Sequence, residues 1–132
     1  SMGNRKNIRS GARWENEVGY CRAVRIGSHI MVSGTAPVGP NGELVGEGDA
    51  YAQAHRCIEI VARALDEAGA GLRDVVRTRM YVTDIELWPE FARAHREAFG
   101  DVLPATTMVE VSRLIDAGML IEIEADAVLE SD

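Results

Sequence analysis

The chain is poor in cysteine and has no long apolar run. Its two cysteines, Cys21 and Cys57, are too few for a disulfide framework and are typical of a reducing compartment, so we expect a cytoplasmic protein. No apolar segment approaches the ~20 residues that a membrane-spanning helix needs, and no signal-peptide pattern opens the chain. No membrane partner is therefore predicted.

Histidine and basic residues are also scarce. The three histidines, His29, His55 and His95, are too scattered for the usual metal-ligand spacings, so neither a metal nor another cofactor is predicted. Lysine and arginine number 14 against 21 aspartate and glutamate residues, which gives a formal net charge of -7. Nucleic-acid binding takes its affinity largely from cations that neutralise phosphates. We therefore expect no nucleic-acid partner, although this charge is compatible with a locally basic pocket for a small acid.

The remaining composition is that of an ordinary globular protein. With 132 residues, 46% of them hydrophobic and 27% charged, the chain is long enough for one core but not for two. Residues 1–13 are polar and basic, and we expect them to form a flexible or loosely docked arm. Residues 14–132 are predicted to form a single domain.

Strand and helix signals alternate along that domain. Two strand-like runs, 20–26 and 29–35, are separated by a Gly-Ser connection that is typical of a hairpin. Asp49 predicts the start of a helix that ends near residue 68, and a second helix is predicted over about 87–99. The order β-β-α-β-α-β-β indicates an α+β fold with one mostly antiparallel sheet and both helices packed on one face.

The strand between the two helices, at about residues 75–83, has a mixed pattern. Four of its residues are expected to share one face: Val76, Thr78, Met80 and Val82. Its two arginines and its tyrosine are expected on the other face.

The final strand carries the clearest alternation. Apolar and acidic residues follow one another, so one face is apolar and the other is rich in carboxylates. The apolar residues are Ile121, Ile123, Ala125 and Ala127, and the acidic ones are Glu122, Glu124 and Asp126. On pattern alone, this is typical of an edge strand with a solvated acidic row. A sheet with such a polar face could also pair with copies of itself.

Two segments near the C-terminus resemble a known signature. Pro104-Ala-Thr-Thr-Met-Val-Glu-Val-Ser-Arg-Leu, followed by Ile121-Glu-Ile-Glu-Ala-Asp-Ala, resembles the C-terminal signature of the RidA/YjgF family, also labelled endoribonuclease L-PSP. The match continues upstream and covers about residues 18–128. The resemblance implies a homotrimer in which three sheets enclose a central barrel and clefts between subunits hold a small-molecule metabolite. Many members hydrolyse reactive enamines and imines.

The resemblance also implies roles for individual residues. Glu122 matches the glutamate that positions a water molecule, and Tyr20 matches the tyrosine that shapes the pocket. Gly34 matches the glycine that lets a ligand approach the backbone. Met108 matches a backbone position two residues beyond the family's substrate-binding arginine.

That arginine is replaced here by Thr106. A charge-assisted hydrogen bond contributes about 1.5–3 kcal/mol, so this change alone is expected to weaken an anionic ligand roughly ten- to a hundredfold. Thr106 and Thr107 suit a neutral or hydroxylated ligand better. Arg22 lies two residues after Tyr20 on the same strand face and offers a substitute anchor, unless it pairs with the acidic face of the last strand.

Three functions remain open on this basis. The first is a divergent hydrolase of a reactive imine, enamine or related small metabolite, and the sequence leans towards it. The second is a metabolite-binding trimer without catalysis. The third is an endoribonuclease, which the acidic net charge disfavours.

Overall fold

The computed structural model describes residues 4–131, and within that range six strands form one sheet accompanied by three α-helices. The strands are β1 (Arg5–Ile8), β2 (Ala23–Ile26), β3 (His29–Thr35), β4 (Val75–Val82), β5 (Ala105–Glu110) and β6 (Ile121–Val128). The helices are α1 (Arg13–Val18), α2 (Ala50–Glu67) and α3 (Trp88–Phe99), and short 3-10 turns at Leu72–Asp74 and Ile85–Leu87 precede β4 and α3.

The sheet has the spatial order β1-β2-β3-β6-β4-β5. Every neighbouring pair is antiparallel except β4 and β5, which are parallel. Helices α2 and α3 pack against each other and against one face of the sheet, and a single apolar core lies between them. The predicted α+β fold with a mostly antiparallel sheet is therefore confirmed. We call the sheet face away from α2 and α3 the open face.

Helix α2 begins where the sequence predicts. The Asp49 side chain accepts a hydrogen bond from the Ala52 amide at 3.0 Å, which satisfies one of the unpaired N–H groups at the helix start. The helix buries Ile58, Val61 and Leu65, whose spacing of three to four residues places them on one stripe. Among residues 4–131 no helix has the length and apolarity needed to cross a membrane.

The final strand has the predicted faces but a different place in the sheet. Ile121, Ile123 and Ala125 are at most 1% exposed, whereas the acidic residues between them are half-buried on the open face. The expectation of an edge strand is wrong, because β6 lies in the centre between β3 and β4. Alternation reports which face a residue occupies, but it contains no information about the neighbouring strands.

A bulge changes the predicted pattern at the start of β4. The pairing of β4 with β6 shifts register between Val75 and Arg77. Val75 is consequently 3% exposed in the core, whereas Val76, which was expected to share a face with the buried Thr78, is 47% exposed. The prediction for Val76 is therefore wrong.

The N-terminal segment is more ordered than expected for a flexible arm. Arg5–Ile8 forms β1 and pairs with β2, and Ile8 is buried in the core with 5% exposure. Lys6 Nζ donates to the Glu67 carbonyl at the end of α2, at 2.8 Å. One apolar residue and a row of backbone hydrogen bonds thus hold a segment whose composition is otherwise polar. The arm predicted over residues 1–13 also includes residues 1–3, which lie outside the described residues.

Candidate functional site

The seven predicted site residues fall into two separate groups. The first group consists of Tyr20, Arg22, Gly34 and Glu122, which lie around β2, β3 and β6. The second consists of Thr106, Thr107 and Met108 on β5. In the sheet order, Gly34 on β3 is three strand spacings from β5 and Glu122 on β6 is two, so across the sheet the second group lies about 14 Å from Gly34 and about 10 Å from Glu122 at ~4.8 Å per strand.

In the first group, Glu122 lies directly against Gly34. A Cβ atom added to Gly34 would overlap Glu122 Oε2 and lie 3.1 Å from the Glu122 carboxyl carbon. The pairing of β3 with β6 shifts register between Val32 and Thr35, so Gly34 sits in an irregular stretch of β3 beside the carboxylate. Only glycine leaves room for Glu122 in this position.

The environment of Glu122 alters its acidity. Burial raises the pKa of the half-buried Glu122 carboxyl above its ordinary value because the charged form is poorly solvated. The Arg22 guanidinium opposes this shift, and the Glu124 carboxylate adds to it. A carboxyl group with a raised pKa exchanges a proton closer to neutral pH, which suits general acid–base chemistry.

Arg22 contacts the backbone beside Gly34 and Glu122. It is 8% exposed, and its Nη2 donates to the Gly34 carbonyl at 2.6 Å. Its guanidinium carbon lies 5.7 Å from the centroid of the Tyr20 ring. Arg22 Nε is buried and has no hydrogen-bond partner within residues 4–131.

The acidic row is paired with a different arginine. Arg79 Nη1 on β4 lies 3.2 Å from Asp126 Oδ2 and 3.4 Å from Glu124 Oε1. In the part of the chain that the structure describes, no ion pair joins Arg22 to this row. Arg22 nevertheless acts on the Glu122 end of the row, because its guanidinium lowers the pKa of Glu122 while donating to the Gly34 carbonyl. Its role as a substitute anchor and its pairing with the acidic face both stay predictions.

In the second group, the Thr106 side chain takes part in a row of side-chain hydrogen bonds that the sequence analysis did not predict. Thr106 Oγ1 lies 2.7 Å from Thr78 Oγ1, which in turn lies 2.8 Å from His95 Nε2. Thr78 is fully buried, and burial lowers the pKa of His95. His95 comes from α3, and only the register of β5 against β4 brings Thr106 opposite Thr78. Sequence patterns do not fix that register.

The second group also uses both faces of the sheet. Because Thr106 pairs with the buried Thr78, its side chain lies on the helix-covered side, at the exposed edge of the sheet. Thr107 is exposed and pairs with Arg79. Met108 is half-buried with its side chain against the core, so only its backbone is available to a ligand.

A cavity of about 480 Å³ adjoins the first group. Tyr20 and Ser33 line one side of it, and Arg5, Arg9 and Glu15 line another. Sequence reasoning missed the two arginines because it assigned them to a flexible arm. Arg5 and Arg9 are four positions apart, which puts them on the same side only if the segment is extended. The sequence alone gives little indication that it is, so this spacing is a weak predictor of a shared site.

Neither a metal site nor a reactive thiol is evident in the described residues. Within residues 4–131, no three His, Cys, Asp or Glu side chains are arranged to hold a metal ion. Cys21 and Cys57 are both buried, and burial raises the pKa of the Cys57 thiol. The Cys57 thiol is therefore a poor nucleophile, because little thiolate is present.

Comparisons with known proteins decide the family. The sequence profile of the family described as Endoribonuclease L-PSP matches residues 11–129. The chain belongs to the RidA/YjgF family. A RutC family protein from Pyrococcus abyssi is 41% identical, over 84% of this chain and 87% of that protein. A 2-iminobutanoate/2-iminopropanoate deaminase from Salmonella typhimurium is 38% identical, over 83% of this chain and 86% of the relative.

A solved structure supports the same assignment. A member of the YjgF family from Mycobacterium tuberculosis is 47% identical and superposes with a TM-score of 0.87, over 95% of this chain and 99% of that one. The RidA/YjgF family therefore includes relatives named as deaminases and others named after endoribonuclease activity.

Proposed function

We propose that this RidA/YjgF protein hydrolyses a small reactive imine, enamine or related carbonyl-derived metabolite. The observation that carries the proposal is the contact between Glu122 and Gly34, because it places a carboxyl group of raised pKa against the half-buried Gly34 backbone, where no side chain intervenes. Glu122 orients a water molecule and accepts its proton as the water oxygen attacks the carbon of the C=N bond. Glu122 returns this proton to the nitrogen, which gives a carbinolamine, and then moves the proton of the new hydroxyl to the same nitrogen. The C–N bond breaks, ammonia leaves and the carbon becomes a carbonyl. Three features that the family resemblance implies, at Tyr20, Gly34 and Glu122, support this role.

A homotrimer with clefts between subunits is part of the same proposal. Within one chain, Thr106 lies about 14 Å from Gly34, at ~4.8 Å per strand, and on the helix-covered rather than the open side. Residues from both groups meet at one ligand only if β5 of a second copy approaches the Glu122 cluster of the first. The exposed edge of β5 supports such pairing, since an unpaired strand edge offers free backbone donors and acceptors.

A metabolite-binding trimer without catalysis is the second candidate. It is favoured by Thr106, which stands where the family's active members carry an arginine. A 2-imino acid has its carboxylate next to the C=N bond, and the hydroxyl of Thr106 supplies no charge to hold it there. We therefore expect little turnover of 2-imino acids by the wild-type protein.

The test measures ammonia and carbonyl product from a panel of imines generated in situ by an amine or amino acid oxidase. The wild-type protein is compared with Glu122→Gln, with the neighbouring control Glu124→Gln and with Thr106→Arg, and light scattering gives the oligomeric state of each. We expect one substrate class to be turned over and Glu122→Gln to lower its kcat about 100-fold or more. Thr106→Arg is expected to raise activity on 2-imino acids.

The same experiment can reject the hydrolase. Full activity in Glu122→Gln would show that Glu122 is not the general base. No turnover of any imine by the wild-type trimer, together with saturable ligand binding, would favour the metabolite-binding protein. A monomer in light scattering would contradict the shared cleft.

A further inference from the structure

We propose that Arg5 and Arg9 form an anion-binding subsite in the cavity beside Tyr20, which takes the carboxylate of an acidic metabolite. The inference deepens the proposed function, because the same ligand would extend from this subsite to Glu122. It assigns the anionic anchor of this protein to its first strand rather than to position 106 on β5.

Arg5 on β1 and Arg9, which directly follows that strand, lie on one side of the sheet. Ile8 points into the core with 5% exposure, and the Lys6 ammonium reaches the end of α2 on the helix side. Arg5 and Arg9 are separated by an even number of residues from each other and by an odd number from Ile8. Both consequently line the open-face cavity, together with Tyr20.

The guanidinium groups retain most of their donor capacity. Arg5 Nε donates to Asn7 Oδ1 at 2.9 Å, which leaves its terminal nitrogens for another acceptor. Within residues 4–131, Arg9 makes no ion pair or side-chain hydrogen bond. A planar guanidinium with free N–H groups matches a carboxylate through two parallel hydrogen bonds.

The charge balance of the cavity favours an anion. Its lining within the described residues contains two arginines and one acid, Glu15. That carboxylate is already bonded, because Glu15 Oε1 accepts from the Ser10 amide at 3.1 Å and Glu15 Oε2 accepts from the Ser10 hydroxyl. The chain carries a formal net charge of -7, so this excess of positive charge is local.

The position of the cavity limits the kind of acid. β1 lies two strand spacings from β3 in the sheet, so the subsite is about 10 Å from Gly34 at ~4.8 Å per strand. An arginine side chain spans part of this distance, and the ligand must span the rest. The ligand class is therefore an acid whose carboxylate lies several bonds from its reactive carbon, unlike a 2-imino acid. The volume of about 480 Å³ is ample for such a molecule.

Binding measurements test the subsite without relying on turnover. The probes are 4-oxopentanoate, whose carboxylate is several bonds from its ketone, and pyruvate, whose two groups are adjacent. Calorimetry compares the wild-type oligomer with Arg5→Gln, Arg9→Gln and the double variant. The control is Arg63→Gln/Arg73→Gln, which removes two exposed arginines that do not line the cavity.

We expect 4-oxopentanoate to bind more tightly than pyruvate, and the double variant to lose about tenfold or more of that affinity. The control should stay within about twofold of wild type, and added salt should weaken wild-type binding. Equal affinities in the double variant and the control would overturn the subsite, as would the absence of wild-type binding at millimolar probe. Dissociation of the oligomer in the double variant would also overturn it, because the arginines would then be holding a second copy.

Failure of the hydrolase is distinguishable from failure of the subsite. In Glu122→Gln, binding of 4-oxopentanoate is expected to keep its dependence on Arg5 and Arg9, since Glu122 does not line the cavity that takes the carboxylate. Arginine-dependent binding in a protein that hydrolyses no imine would support the subsite and reject the proposed function. Turnover that depends on Glu122 but is unchanged in the double arginine variant would support the proposed function and reject the subsite.

Discussion

The carboxylate of Glu122 occupies the space that any side chain at Gly34 would need, with its carboxyl carbon 3.1 Å from the position of an added Cβ. Two strands that are distant in sequence thus define one small feature, a carboxyl group held against backbone. Its raised pKa follows from the same closeness, because the neighbouring backbone and side chains exclude water from it. Both the shape and the acidity of the candidate site depend on this contact.

Gly34→Ala is expected to lower the proposed hydrolase activity while leaving the fold intact. The new methyl group would displace the flexible end of Glu122 rather than the β3 backbone, so the fold and oligomeric state should persist while kcat falls at least about tenfold. Turnover and thermal unfolding measured on the same samples would show this. Ser33→Ala is the adjacent control, since it loses one hydroxyl bond to the Cys21 carbonyl but leaves Glu122 in place. Normal turnover in Gly34→Ala would mean that the position of Glu122 does not matter.

Glu122→Gln is expected to stabilise the protein at neutral pH. The folded protein binds a proton at Glu122 more readily than the unfolded chain does, so its stability falls as pH rises from the ordinary glutamate pKa through the raised one. The amide removes this cost, and its advantage should disappear below about pH 4, where both states are protonated. Urea unfolding at several pH values measures the difference. A variant less stable than wild type at pH 7 and equally so at pH 4 would contradict it.

Arg22→Met should shift the pH dependence of catalysis. Arg22 lowers the pKa of Glu122 and donates to the Gly34 carbonyl, so its loss is expected to move the acidic limb of kcat/KM to higher pH. It should also cost about 1–3 kcal/mol of stability, because a carbonyl loses its donor. Arg25→Met is the matched control, since Arg25 on β2 also donates to backbone carbonyls, those of Ala68 and Gly27. Arg25→Met should destabilise without moving the limb, and a limb unmoved by Arg22→Met would reject the electrostatic role.

The parts of this structure that sequence could predict are those fixed by local patterns. Asp49 marks the start of α2 because a capping side chain acts on amides within three residues. The alternation around Glu122 identifies the faces of β6 because adjacent residues point to opposite sides. The resemblance to the family then supplied Tyr20, Gly34 and Glu122 as one cluster, and the structure places Glu122 beside Gly34.

The features that escaped prediction depend on pairing between distant segments. The bulge at Val75 reverses which valine faces the core, and no composition signal marks it. β1 depends on a single buried residue, Ile8, in a polar segment. The contact between His95 and Thr78 arises where α3 packs on β4, and Thr106 joins it only through the parallel register of β5. Each of these requires the tertiary structure, because alternative registers satisfy the same local preferences.

The hydrogen bonds that link His95, Thr78 and Thr106 should make the free energy of unfolding decrease at acidic pH. Burial lowers the pKa of His95 below its ordinary value of 6.5, so the unfolded chain binds the proton more readily. The contribution of neutral His95 is therefore present above about pH 6.5 and is lost progressively as pH falls through and below that value.

His95→Gln keeps a hydrogen-bonding side chain but cannot titrate, and we expect its stability to change less between pH 7 and pH 5. His55→Gln is the control, because His55 is about half exposed on α2. Urea unfolding at pH 7, 6 and 5 compares the three proteins. A pH slope in His95→Gln equal to that of wild type would show that other groups cause the acid sensitivity, whereas a slope lost only in His95→Gln would locate it at the partner of Thr78.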